Sequence, residues 1–192
     1  MHRIVFGDFM SPIAIKKNEN RKHIIMGLLL GALIFVILIP LVIVHLSIYL
    51  STLLGLRIYT NFLLILLGVI LVLIGLSLTG WAAWALWKDG RGSPLPIAPT
   101  KKLVVSGPYA YTRNPMILGA FLYYTGLILI SGALIGLVIV FSFTVLALIY
   151  VKFVEEKELE RRLGEPYVKY KKSTPFFIPR PRRKKYSHEL SR

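Results

Sequence analysis

Residues 116–151 read MILGAFLYYTGLILISGALIGLVIVFSFTVLALIYV, an apolar stretch without a charged residue and interrupted by Ser131-Gly132. Two apolar helices joined through so short a break form a tight antiparallel hairpin. Its two ends then return to the same side. On the incoming end stands Gly107-Pro108-Tyr109-Ala110-Tyr111-Thr112-Arg113-Asn114-Pro115. On the outgoing end stand Glu155-Glu156-Lys157-Glu158-Leu159, then Gly164-Glu165-Pro166-Tyr167 and Ile178-Pro179. An arginine, a carboxylate pair and several tyrosines are thereby gathered at one face, and such side chains suit a site rather than a span.

Composition agrees with a membrane location for the hairpin. The chain has 192 residues, 55% of them hydrophobic, and a formal charge of +15; its mean hydropathy is +0.65. A soluble domain of this size cannot bury so much apolar surface, so the membrane class is indicated. The positive charge lies between the apolar runs, a placement suited to anionic lipid headgroups and giving no reason to invoke nucleic acid as a partner. With no cysteine, a disulfide framework, a thiolate metal site and a cysteine nucleophile are all excluded. The first 23 residues are polar and basic, and the apolar run after them is too long for a signal peptide, so it is expected to remain as an anchor.

Four apolar stretches emerge, at residues 24–50, 62–87, 116–130 and 133–151. Crossing about 30 Å of hydrocarbon takes about 20 helical residues. The third stretch is shorter, about 23 Å by the helical rise, so its helix is expected to start below the membrane surface and leave room for a pocket. Of the 24 lysines and arginines, all but Arg57 fall in the N-terminal segment, the 88–114 loop or the tail from Lys152. With four spans, these three segments share one side, and the positive-inside rule places both termini in the cytoplasm. The expected fold is all-α: a single integral-membrane domain over residues 1–192, a four-span polytopic helix bundle with a cytoplasmic loop at 88–114 and a basic cytoplasmic tail at 152–192, helical at its start.

Small residues recur at helical spacing: Gly27 and Gly31, Gly68 and Gly75, Gly119 and Gly126, and Gly132 and Gly136 at the start of the fourth span. They read as helix contacts. The 88–114 loop carries Pro94, Pro96, Pro99 and Pro108 and is expected to be irregular and functional. Past the fourth span, helical character continues to Leu163, and Gly164 with Pro166 stops it. On that helix Glu155 and Glu156 flank the stripe of Leu159 and Leu163, with Lys157 and Arg161 opposite. Tyr123 and Tyr124, deep in the third span, need hydroxyl partners and are expected to bond between helices. Trp81, Trp84 and Trp87 read as an interfacial aromatic belt, and residues 180–185 as a lipid-facing basic run.

The sequence holds no phosphate-binding glycine loop, no nucleophile elbow and no histidines at metal-ligand spacing; His45 reads as a hydrogen-bonded interfacial residue. Arg113 just precedes Asn114-Pro115, with Pro115 in the first turn of a helix. Helix amides beside a guanidinium make a grip for a carboxylate. Alone, Arg113 reads as an interfacial arginine whose head reaches water; Tyr109, Tyr111, Asn114, Glu155 and Glu156 around it make it a site candidate. Glutamates suit hydroxyls and ammonium groups, and aromatic faces suit an adenine or a cation. The set admits several charged ligands and does not single one out.

Taken in order, these pieces resemble the integral-membrane methyltransferases that include isoprenylcysteine carboxyl methyltransferase and the phospholipid N-methyltransferases. The family pattern is Gly-Pro-Tyr, Arg-His-Pro-x-Tyr-x-Gly, a hydrophobic hairpin, Glu-Glu-x-x-Leu, Gly-x-x-Tyr-x-x-Tyr and Ile-Pro. The chain reads Gly107-Pro108-Tyr109, Arg113-Asn114-Pro115-Met116-Ile117-Leu118-Gly119, Glu155-Glu156-Lys157-Glu158-Leu159, Gly164-Glu165-Pro166-Tyr167-Val168-Lys169-Tyr170 and Ile178-Pro179. The resemblance covers about residues 100–180. It implies S-adenosylmethionine as methyl donor, bound at the cytoplasmic face, and a lipid or lipid-linked acceptor entering from the bilayer. It places Tyr109, Tyr111, Arg113, Asn114, Pro115, Gly119, Glu155 and Glu156 among the cofactor-binding residues, with Arg113 and Glu156 at the catalytic centre. Arg113 is expected to bind cofactor or substrate, not to carry a proton. Should the acceptor be an amine, Glu155, Glu156 or Tyr109 would serve as base. Asn114 stands in place of the family's usual histidine and Ile117 in place of its tyrosine. Two competing readings are a non-catalytic membrane scaffold, to which Ile117 points, and a nicotinamide-dependent reductase on a related helical scaffold.

Overall fold

A computed structural model describes residues 21–90, 100 and 102–180, with side chains from Ile25 onward. Among these residues it is all-helical, with no strand. Helix α1 (Arg21–Ala32) passes through a π-helical segment (Leu33–Leu38) into α2 (Ile39–Leu53). Helix α3 runs Phe62–Lys88, a single 3₁₀ turn occupies Gly107–Ala110, and α4 runs Pro115–Ser131. Helix α5 (Gly136–Tyr150) continues through a second π-helical segment (Val151–Glu155) into α6 (Glu156–Leu163), and α7 (Glu165–Ser173) follows. The basic run past Arg180, Lys16 and Lys17 near the N-terminus and the prolines of the 88–114 loop up to Pro99 lie outside the described residues.

Three rods have the length and apolarity to cross a membrane: Ile25–Leu53, Phe62–Lys88 and Gly136–Leu163. Helix α4, with 17 residues, reaches only about 25 Å. It compensates by position. It packs against α2, α3 and α5 together, and Pro115, Gly119, Tyr124, Gly126, Ile128 and Leu129 along it are buried. The core of the molecule, Ile43, Tyr124, Ile128 and Val140, is centred on it. The outer faces of the long rods are bare hydrocarbon: Leu29, Val42, Phe62, Leu73, Phe141 and Leu146 are each at least 60% exposed, as the helices of an integral membrane protein require.

Glycine makes the α3–α4 contact possible. A methyl group on Gly75 would lie 2.6 Å from the Gly119 carbonyl oxygen, and one on Gly68 2.7 Å from that of Gly126. The two seven-residue spacings therefore face each other, and the helix backbones touch. Gly132 departs from the expected role. It ends α4 in the left-handed conformation (φ +72°) and does not open the next helix. Residues 133–135 complete the turn, with Leu134 N–H on the Gly132 carbonyl at 3.0 Å and Gly136 N–H on that of Ala133 at 2.9 Å. The fourth apolar helix accordingly starts at Gly136 and runs unbroken past Val151 into α6.

The first rod has a feature of its own. Ile39 N–H reaches back five residues to the Ile34 carbonyl, and the next residue, Pro40, has no N–H to give. Two carbonyls are left short of helical donors. Tyr124 Oη donates to Phe35 O at 2.7 Å and Tyr123 Oη to Val36 O at 2.9 Å. These are the interhelical bonds expected of the two tyrosines. His45 likewise takes a local partner, the Leu41 carbonyl at 2.8 Å.

Candidate functional site

Tyr111 through Asn114 form an irregular strip between the 3₁₀ turn and α4. The segment after α7 lies along it, bonded at almost every residue. Arg113 N–H donates to Pro175 O at 2.9 Å, Thr112 Oγ1 to Phe177 O at 2.9 Å, Asn114 Nδ2 to Phe176 O at 2.8 Å, and Arg180 N–H to Tyr111 O at 3.1 Å. One turn back, Tyr170 Oη donates to Tyr109 O at 2.8 Å. Thr112 and Thr174 are buried by this strap. On the other side, Ser106 Oγ bonds the Asp89 carboxylate, which fastens the end of the long loop to the end of α3.

Under the strap, Arg113 and Glu156 form an ion pair, their side chains 12% and 2% exposed. The π-helical segment before α6 sets the rotation that turns Glu156 inward and leaves Glu155 at the surface. Glu156 uses both oxygens: Oε1 takes Arg113, and Oε2 takes Lys171 of α7 at 2.9 Å. Lys171 also bonds Glu160 Oε1 at 2.7 Å. The Phe176 ring lies 5.2 Å from the Arg113 guanidinium carbon, a cation–π contact. Arg113 Nε is buried without a hydrogen-bond partner, so one charged donor is still unspent.

Tyr167 lies beside the pair. Burial, and then the Glu156 carboxylate, push its phenol up to about 12, against the opposing pull of the Arg113 cation. Tyr109 is raised further above the ordinary phenol range, by burial first and then by Tyr170 and Glu155. It is thus a neutral hydroxyl at physiological pH. Lys171 is also raised, by its bond to Glu160 first and to Glu156 next, so its ammonium persists.

Of the residues expected at the site, the fold brings Arg113 and Glu156 into direct contact, with Asn114 next to Arg113 in the strip, Pro115 opening α4 after it and Tyr109 in the 3₁₀ turn before it. Tyr111 is exposed, and its carbonyl holds the strap. Gly119 lies one turn into α4, packed against Gly75 and Thr79 of α3. Sequence reasoning passed over Lys171, Tyr167 and Phe176 as members. The tyrosine spacing after Gly164 was the available signal for Tyr167; Lys171 and Phe176 carried none.

The phospholipid methyltransferase family model matches residues 63–166, a stretch that begins in α3, spans the hairpin and its two polar ends, and stops in α7. No curated protein and no solved structure matches the chain. With just over half of its length matched across the elements that build this strip, the chain belongs to the phospholipid methyltransferase family of membrane methyltransferases.

Proposed function

We propose that the protein transfers a methyl group from S-adenosylmethionine to a lipid or lipid-linked acceptor at the cytoplasmic face of the membrane. The observation that carries this reading is the buried Arg113–Glu156 pair at the mouth of the α4–α5 hairpin, with Arg113 Nε still without a partner. The donor set fits that cofactor. Arg113 offers a charged donor to a carboxylate, the surface carboxylate of Glu155 suits an ammonium or ribose hydroxyls, and Phe176 and Tyr167 offer aromatic faces. When bound, S-adenosylmethionine supplies an electrophilic methyl on a sulfonium. The protein's share is to align the two reactants and keep water out. The strap over Arg113 and the apolar mouth of the hairpin serve both ends.

In this reading α4 also crosses the bilayer, sheltered by its three neighbours, which brings the spans to four and puts both termini in the cytoplasm, as the charge asymmetry requires. The acceptor reaches the site laterally, as a phospholipid headgroup or a lipid-linked carboxylate or thiol does. The test is transfer. Purified protein with methyl-labelled donor and a total lipid extract is expected to label one lipid class, and Glu156→Ala to abolish the label. No labelled lipid, together with no donor binding, would favour the scaffold reading suggested by Ile117; nicotinamide binding would favour the reductase.

A further inference from the structure

We propose that Lys171 is a positioning residue that keeps Glu156 paired while Arg113 turns toward a bound anion, a role that rests on the site reading above. Glu156 is almost fully buried, and the groups facing it are Arg113 from the strip before α4, Lys171 and Tyr167 from α7, and Glu160 from its own helix. A buried carboxylate that loses its only cation is strongly destabilised. If Arg113 were that only cation, any anion drawing it away would strand Glu156. The second oxygen removes this conflict, because Lys171 holds Oε2 at 2.9 Å independently of Arg113. Lys171 itself stays near water, 37% exposed, and is steadied by Glu160 at 2.7 Å. The four charges, Arg113, Lys171, Glu156 and Glu160, balance. An arriving carboxylate can then take Arg113 without leaving an unpaired acid in the interior. Lys171 lies beyond the 63–166 stretch that the family model matches.

The competing role is a plain staple between α6 and α7 through Glu160, and the two separate by experiment. The full-length protein in detergent is titrated calorimetrically with S-adenosylhomocysteine, the demethylated donor. Lys171→Met is expected to weaken binding at least tenfold, about 1.4 kcal/mol, while Lys171→Arg stays within about threefold of wild type. The same tenfold loss is expected when Lys171→Met is made on a Glu160→Gln background, because the action runs through Glu156. Unchanged affinity in Lys171→Met overturns the proposal. So does a Glu160→Gln variant that reproduces the loss alone and leaves Lys171→Met nothing to add. If the methionine variant does not fold, Lys171→Gln carries the same comparison. A wild-type protein that does not bind the probe overturns the donor reading as well, whereas wild-type binding that ignores Lys171 overturns this inference only.

Discussion

Glu156 is tolerated in an almost solvent-free position because two cations from distant parts of the chain converge on it. Removing one partner of a buried pair typically costs about 3–5 kcal/mol. Arg113→Ala is expected toward the lower end, since Lys171 remains; Glu156→Gln, which leaves the buried Arg113 without a carboxylate, is expected toward the upper end. Melting of the purified variants in one detergent checks the order. The direction of the Lys171 shift fixes its pH dependence. Its folded-state value is raised, so its stabilising contribution is intact below the ordinary lysine range near about 10.4 and is lost as pH rises through the higher folded value. A Tm profile in which Lys171→Met and wild type differ by a constant amount from neutral pH to about pH 10 and converge only above it is the expected result. The pair itself was legible in the sequence, because hairpin geometry alone returns residues 113 and 156 to one side. Lys171 was not: fifteen positions beyond Glu156, across the Gly164 break, no periodicity connects them.

At the scale of elements, two devices hold α4 in place. The first is the glycine contact with α3, which was readable from the seven-residue spacings. Gly75→Leu would drive a side chain into the α4 backbone at Tyr123. The expected outcome is a protein that inserts but fails to assemble, seen as loss of a monodisperse peak in detergent. The second device is the pair of tyrosine hydroxyls that serve the carbonyls left short by Pro40. Interhelical bonds of this kind are worth about 0.6–2 kcal/mol each. Tyr124→Phe should therefore lower stability modestly, and Tyr124→Phe with Pro40→Ala by less than the sum, because alanine restores the backbone donor. The tyrosines announced themselves as polar groups in an apolar run. The π-helical segment did not: Pro40 marks a missing donor in the sequence, but not how the helix ahead of it adjusts. The strap from Thr174 to Arg180 was marked in the sequence only by Ile178-Pro179, for its bonds end on its own backbone groups, at least 62 residues from the Thr112 and Asn114 side chains and the Tyr111 and Arg113 backbone that they join.

For the whole molecule, the hydrophobic exterior and the short central helix define a membrane protein whose polar strip lies at one end. The chain has no cysteine, so single cysteines report topology directly. Cysteines at the exposed positions Tyr111 and Lys157 are expected to react with a membrane-impermeant reagent from the same side, and one at Leu56 from the other. The central claim, that Arg113 and Glu156 meet at that end to hold the methyl donor, is tested most directly by the affinity of the purified protein for S-adenosylmethionine. Wild type should bind, and Arg113→Ala and Glu156→Ala, still folded by their melting curves, should each bind at least tenfold more weakly, about 1.4 kcal/mol. Wild-type affinity in both folded variants would contradict it.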